Sequence, residues 1–301
     1  MMSLQTIALI GLGMLGFAVS PAQAEEFTTT AQQGNVKAEL SYEKVLENGI
    51  PQARNVRLKI QRPRRSIFDQ LLKISEFDRP LAFFTGSGGL TVQDLNGDNN
   101  PEVITDIFTG GAHCCTYSLI YQYNPQQKQY VESRANWGNL GYRLRDLDGN
   151  GKTEFYSADD RFAYAFTSYA GSAFPVMILR FENGSMVDVT RQYPKQIYGD
   201  AYRLWQTYQE RSTSGGDATK GVLAAYLADI AIATLLRTFL VVCFACCQKC
   251  PCPNLCGGSY KYLLGQQEDG WKRVENVYQG SDRSEFFGSL RKFLKETGYA
   301  K

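Results

Sequence analysis

Apolar and polar side chains alternate along much of the first two-thirds of this chain. Val36, Ala38, Leu40 and Tyr42 alternate with Lys37, Glu39 and Ser41, and Val56, Leu58 and Ile60 alternate with Arg57, Lys59 and Gln61. A period of two predicts strands with one buried and one wet face. A third strand is expected over 66–74. Further on, Ser118–Tyr123 turns at Asn124-Pro125 into Gln129–Ser133, and Val176–Glu182 turns at Asn183-Gly184 into Met186–Thr190. Both read as hairpins, and Asn-Gly is the strongest short-range hairpin signal. Past residue 195 the period lengthens toward 3.6. Ala201, Leu204, Trp205 and Tyr208 share one helical face, with Asp200 as the expected N-cap. A last helix is expected from Asp282, where Asp282-Arg-Ser-Glu285 is a capping-box variant. Phe286, Phe287, Leu290, Phe293 and Leu294 form its stripe, and Gly298 is its stop.

Two acidic loops interrupt this pattern, Asp94-Leu-Asn-Gly-Asp-Asn-Asn-Pro-Glu102 and Asp146-Leu-Asp-Gly-Asn-Gly-Lys-Thr-Glu154. Both place side-chain oxygens at positions 1, 3, 5 and 9. A tight loop with that spacing turns every second side chain onto one point, where calcium finds the hard oxygens it prefers. Position 7 normally offers only its backbone carbonyl, so Lys152 is as admissible there as Asn100. Gly97 and Gly149 permit the sharp turn. Each loop is entered by a strand, left by a β-rich strand and followed by a hairpin, so each unit has about four strands, the size of a propeller blade.

These two frames resemble FG-GAP or VCBS repeats, the calcium-loop repeats of integrin-type propellers and of many exported bacterial proteins. The resemblance is confined to about residues 81–190. It implies calcium at Asp94, Asn96, Asp98, Asn100 and Glu102, and at Asp146, Asp148, Asn150, Lys152 (through its carbonyl) and Glu154, and it implies no catalysis. An EF-hand needs flanking helices and a bidentate Glu at position 12. Thr105 and Ser157 stand there, and the flanks read as strands. The simpler alternative is a pair of Asp/Asn/Gly turns with no ion, since such residues favour turns in any case.

Two units do not close a ring, which takes four or more blades. The expected fold is therefore α+β and predominantly antiparallel β: a partial propeller-like or open β-sheet stack with C-terminal covering helices. The domain reading is a signal peptide over 1–24, a β-rich domain over 25–195 with repeats at about 90–140 and 141–190, and a mostly helical region over 196–301.

The signal-peptide reading rests on the apolar run Ile7–Val19 followed by Pro21 and Ala22-Gln23-Ala24, although no Lys or Arg precedes the run. It implies a periplasmic or extracellular protein. The net charge of +2 argues against dedicated nucleic-acid binding. The 18 tyrosines and 17 phenylalanines suit a β-rich core. A basic patch around Pro63, from Arg54 to Arg65, reads as a solvated strand face.

Of the eight cysteines, Cys114 and Cys115 are adjacent and the rest fall between 243 and 256. An oxidising compartment favours a disulfide, and a vicinal Cys114–Cys115 bridge stands beside the alternative of two buried thiols. The sole histidine, His113, precedes them. Residues 230–260 form an apolar, cysteine-rich stretch unlike the remainder, readable as an insert within one amphipathic helix. It is alternatively a membrane span anchoring a tethered subunit through 230–247, or a zinc site from Cys243, Cys246, Cys247 and Cys250. The leading functional expectation is a non-catalytic, calcium-binding exported module with a structural or binding role toward a protein or polysaccharide partner. The rival is a secreted hydrolase using His113 with Asp106, Asp159 or Asp160.

Overall fold

The computed structural model describes residues 24–63, 65–85, 88–111, 114–212, 218–246 and 270–300, with the backbone alone for 65, 66, 85, 114, 218 and 234–246. Three antiparallel sheets follow one another along the chain. The first contains β1 (Glu25–Gln33), β2 (Val36–Glu47), β3 (Ile50–Arg62) and β4 (Arg65–Leu71) in chain order. The second contains β5 (Arg79–Pro80), β6 (Leu90–Gln93), β7 (Glu102–Gly111), β8 (Cys114–Asn124) and β9 (Gln129–Gly138), with a single-turn α1 (Ala82–Thr85) between β5 and β6. There β5 and β6 both pair with β7. The third contains β10 (Arg143–Arg145), β11 (Glu154–Ala158), β12 (Val176–Glu182) and β13 (Ser185–Asp188). Helices α2 (Pro194–Ser212), α3 (Ala218–Cys246), α4 (Gly270–Val277) and α5 (Arg283–Glu296) follow.

Three apolar layers hold these parts together. Val36, Leu40, Leu58 and Ile60 of the first sheet meet Leu90, Val103, Ile107 and Tyr121 of the second. The opposite face of the second sheet, through Ile104, Ile120 and Trp137, meets Phe155 and Phe181 of the third. Ile178 and Val176 of the third sheet face the helices through Ile197, Leu204, Leu223, Leu227, Phe286 and Leu290. Along β7 the alternation is what joins two layers: Val103, Thr105 and Ile107 point to the first sheet's side, Ile104 and Asp106 to the third's. The architecture is therefore the expected α+β stack, open rather than ring-closed, with helices covering its last sheet.

Two local expectations need correction. Helix α2 begins at Pro194, so Asp200 is no N-cap; it is buried in the second turn and accepts the Val176 N–H at 3.0 Å. Proline suits a first helical position because its missing N–H would be unpaired there. Asp282 does precede α5, but its side chain makes no capping bond. Its carboxylate is drawn instead to Lys220 Nζ at 2.7 Å and the Tyr278 hydroxyl at 2.6 Å, two partners in place of one cap. The apolar segment begins inside the helical core: α3 runs on past Asp229, and Ile230, Ile232 and Ala233 are buried.

Candidate metal centre

Each acidic loop bridges two paired strands. Gln93 faces Glu102 across β6–β7, and Arg145 faces Glu154 across β10–β11, so each loop closes a short hairpin. The hydrogen bonds inside the two loops correspond residue by residue. Asp94 Oδ1 and Oδ2 accept from Gly97 and Asn99, each at 2.9 Å. Asp146 Oδ1 and Oδ2 accept from Gly149 at 2.7 Å and Gly151 at 2.9 Å. Asn96 Oδ1 accepts from Asp98, and Asp148 Oδ1 from Asn150. Asp98 Oδ1 accepts from Asn100, and Asn150 Oδ1 from Lys152. These are Asx turns strung in series, in which each short side chain accepts from the backbone about two residues on. The Gly151 N–H above all, then those of Gly149 and Asn150, hold the Asp146 carboxyl below its ordinary value.

The glutamate at position 9 is fully buried in both loops. Glu102 Oε2 accepts the Leu95 N–H, and Glu154 Oε2 the Leu147 N–H, each at 3.0 Å. The other oxygen distinguishes the repeats. Glu154 Oε1 accepts from Arg180 Nε at 2.9 Å, while Glu102 Oε1 accepts from the neutral amide of Gln122 at 3.3 Å. Without a cation beside it, Glu102 is pushed up to about 7, by burial first and by Asp98 and Asp94 in addition.

The second loop gathers Asp146, Asp148 and Glu154 so that one ligand oxygen from each lies within 4.8 Å of the others. Two oxygens on one calcium ion lie at most about 5 Å apart, given bond lengths of roughly 2.3–2.6 Å. The all-oxygen donor set and its spacing therefore fit a hard cation. Among the described residues, the first loop's three carboxylates do not form a group this tight. Asn96, at position 3, turns its amide toward Asp98 Oδ2 at 3.3 Å.

The two loops also hold each other. The Thr153 N–H donates to the Leu95 carbonyl at 3.0 Å, and its hydroxyl to the Asp94 carbonyl at 3.2 Å. Gly97, at φ +78°, lies so close that a Cβ would stand 3.3 Å from the Gly151 carbonyl oxygen. Gln33, at the end of β1, accepts the Asp94 N–H. Arg62, which the sequence placed in a solvated basic patch, leaves it. It stacks on Tyr123 at 4.2 Å and donates to Asn100 Oδ1 at 3.2 Å, so it reaches the first loop. Its neighbours Arg54 and Arg57 stay at the surface, paired with Glu47 and Asp69.

The remaining candidates do not converge. Asp159 is buried under Arg161 and the Tyr299 hydroxyl, the latter at 3.0 Å. Asp160 accepts from Asn139, and Asp106 lines a cavity between the second and third sheets. Cys115 is disulfide-bonded, and its N–H donates to Thr109 Oγ1 at 2.8 Å. Its neighbour's side chain at Cys114 lies outside the described residues, as do His113, the leader at 1–23, residues 247–269 and the side chains of Cys243 and Cys246. Among the described residues, no helix is long and apolar enough to cross a membrane.

No family model matches the chain. A probable thylakoid lumen protein of Synechocystis sp. is 29% identical over 255 residues, an alignment covering 76% of this chain and 63% of the relative. An uncharacterised protein of Sinorhizobium fredii is 33% identical over 109 residues, 34% of this chain and 17% of that one. A solved structure of a Xanthomonas type IV secretion system related protein aligns over 54% of this chain and 92% of its own, with 16% identity and a TM-score of 0.25. The chain thus spans less than two-thirds of the length of the curated relatives it matches.

Proposed function

We propose that this chain is an exported, non-catalytic calcium-binding module of the FG-GAP/VCBS type, with a structural or binding role toward a protein or polysaccharide partner. One observation carries the reading: a hydrogen-bond pattern that repeats from one acidic loop to the other, with three carboxylates of the second drawn to within 4.8 Å. Asp146, Asp148 and Glu154, with Asn150 and the Lys152 carbonyl, would hold one ion; Asp94, Asn96, Asp98, Asn100 and Glu102 would hold another. A bound ion supplies the positive charge that Asp94, Asp98 and Glu102 of the first loop, and Asp146 and Asp148 of the second, otherwise lack. Because Thr153 ties the second loop to the first and Gln33 ties the first to β1, each site bears on the joint between neighbouring sheets. Export is supported by the leader-like sequence Ile7–Ala24 and by a relative whose name places it in the thylakoid lumen.

Thermal melts with calcium, magnesium or chelator test this reading, repeated for Asp94→Ala and Asp146→Ala. At free calcium about ten times Kd, linkage adds about 1.4 kcal/mol per site. The parent should gain stability with calcium over magnesium, and each variant should lose one site's share. An unshifted parent melt would sink the proposal.

A further inference from the structure

A cavity lies between the second and third sheets, apart from the acidic loops. It measures about 500 Å³ and is walled by Leu81, Leu140, Leu144, Trp137 and Tyr142 around Asp106. Asp106 projects from β7 on the Ile104 side, toward the third sheet. Its Oδ1 accepts twice, from Ser118 Oγ at 2.5 Å and from the Tyr142 hydroxyl at 2.9 Å. Ser118 is fixed in turn by the indole N–H of Trp137 at 2.7 Å. Among the described residues no hydrogen bond reaches Oδ2, and no Lys or Arg lines the cavity. Asp106 is half-buried at the cavity wall, where loss of water penalises an unpaired carboxylate, and both oriented hydroxyls serve the same oxygen. The aromatic walls, Trp137 and Tyr142 with ring centroids 4.6 Å apart, offer the π surface that attracts cations. The charge the cavity lacks is positive, and its walls are apolar.

We infer that this cavity binds a small organic cation, an ammonium or guanidinium group on a short apolar stem, with Asp106 as its counter-charge. Burial keeps the Asp106 carboxyl above its ordinary value, against the opposing pull of the Ser118 and Tyr142 hydrogen bonds. In the bound state the Asp106 carboxylate pairs with the incoming cation. The groups facing Asp106 are Ser118 from β8, Trp137 from β9, Thr91 from β6, and Tyr142, the one other titratable group of the lining. Asp160 stands behind Asn139 at the cavity's edge. None of these is a residue of the acidic loops, so this site stands or falls independently of calcium.

The experiment is a calorimetric and NMR titration of the intact protein with n-pentylammonium, agmatine and neutral 1-pentanol, in chelator and in calcium. Both cations should bind saturably, and bind at least about tenfold more tightly than pentanol, the worth of one charge-assisted hydrogen bond. Asp106→Asn keeps an acceptor for Ser118 and Tyr142, and should lose at least about tenfold in cation affinity. Thr91→Lys places a tethered ammonium diagonally across from Asp106, within reach of a long side chain, and should abolish binding while leaving the protein folded. Absence of saturable cation binding, equal binding of pentanol, or undiminished binding by Asp106→Asn would each overturn the inference.

Discussion

Arg180 donates to Glu154 from the ladder position directly opposite it, and Gln122 stands one step beyond the Val103–Tyr121 pair to meet Glu102 in the same way. Two repeats with matching backbones thus balance the same buried glutamate differently, one with a guanidinium and one with an amide. Arg180 also donates to the Tyr193 hydroxyl at 2.6 Å, and that hydroxyl donates to Asp148 Oδ2 at 3.3 Å, so one side chain organises half of the second loop.

Replacing Arg180 by Gln leaves Glu154 buried beside Asp146 and Asp148 without its cation. Breaking a buried pair from one side costs about 3–5 kcal/mol, so chemical denaturation in chelator should show a loss of that order. The reciprocal change, Gln122→Arg, supplies Glu102 with the partner it lacks. It should stabilise the chelated protein at neutral pH and shrink the stabilisation that added calcium produces. Equal melting temperatures for Gln122→Arg and the parent in chelator would show that Glu102 does not need the charge.

Gly97 and Gly149 occupy matching positions at φ +78° and +74°, but only Gly97 has a neighbouring loop within 4 Å of its missing Cβ. Alanine in the left-handed region costs roughly 1–2 kcal/mol. Gly149→Ala should show that backbone cost alone. Gly97→Ala should exceed it, because the Gly151 carbonyl must give way and the Thr153–Leu95 bond moves with it. Comparison of the two variants by urea denaturation isolates the contact between loops, and equal losses would remove it as a stabilising feature.

Asp229, on α3, is fully buried, and no N–H or O–H donates to either of its oxygens among the described residues. Burial first, and the Asp200 carboxylate beside it, push its carboxyl well above the usual range. A protonated Asp229 can donate to Asp200, which already accepts from Val176 and from Arg203 Nε at 2.8 Å. The sign follows from linkage. The folded state holds this proton more tightly than the unfolded chain, so the associated stability is complete below about pH 4 and is lost as pH rises toward the folded pKa. The slope reaches at most about 1.4 kcal/mol per pH unit. Asp229→Asn keeps a donor toward Asp200 without a titrating proton. Its stability should vary less between pH 4 and 8, and it should be the more stable protein at pH 8. A parallel pair of pH profiles would refute the shared proton.

Much of the fold could be read from local pattern. Val56, Leu58 and Ile60 alternate with charged neighbours and are all buried, and Asn183-Gly184 turns with both φ positive, as the hairpin signal requires. Strand β1 is hard to read because this edge strand is wet on one face and only half-buried on the other, where Phe27 and Ala31 are its sole apolar residues. Helix α4, two turns long, carries its period on only three apolar positions, Trp271, Val274 and Val277. The acidic loops were legible because their spacing is local. What lay beyond sequence was every relation set by register: Gln122 and Arg180 become equivalent only when β8 and β12 are paired. Asp106 was one of several acids until the sheets enclosed it, and Arg62 belonged to a surface patch until Tyr123 and Asn100 drew it inward.

The third sheet is closed from far along the chain. Arg161 donates to the Thr297 carbonyl across 136 residues and Arg191 to that of Gly298 across 107, capping the end of α5, while Phe162 packs edge-on to Phe293 and Tyr299. The first two sheets, by contrast, share a core built from residues between Phe27 and Tyr130. During synthesis the first two can settle into place early, while the helix-facing surface of the third waits for its cover. Chains cut before α5 would leave Phe162 and Phe166 without Phe293 and Tyr299 over them, so the failure of an interrupted chain would begin at its newest layer and leave the oldest standing.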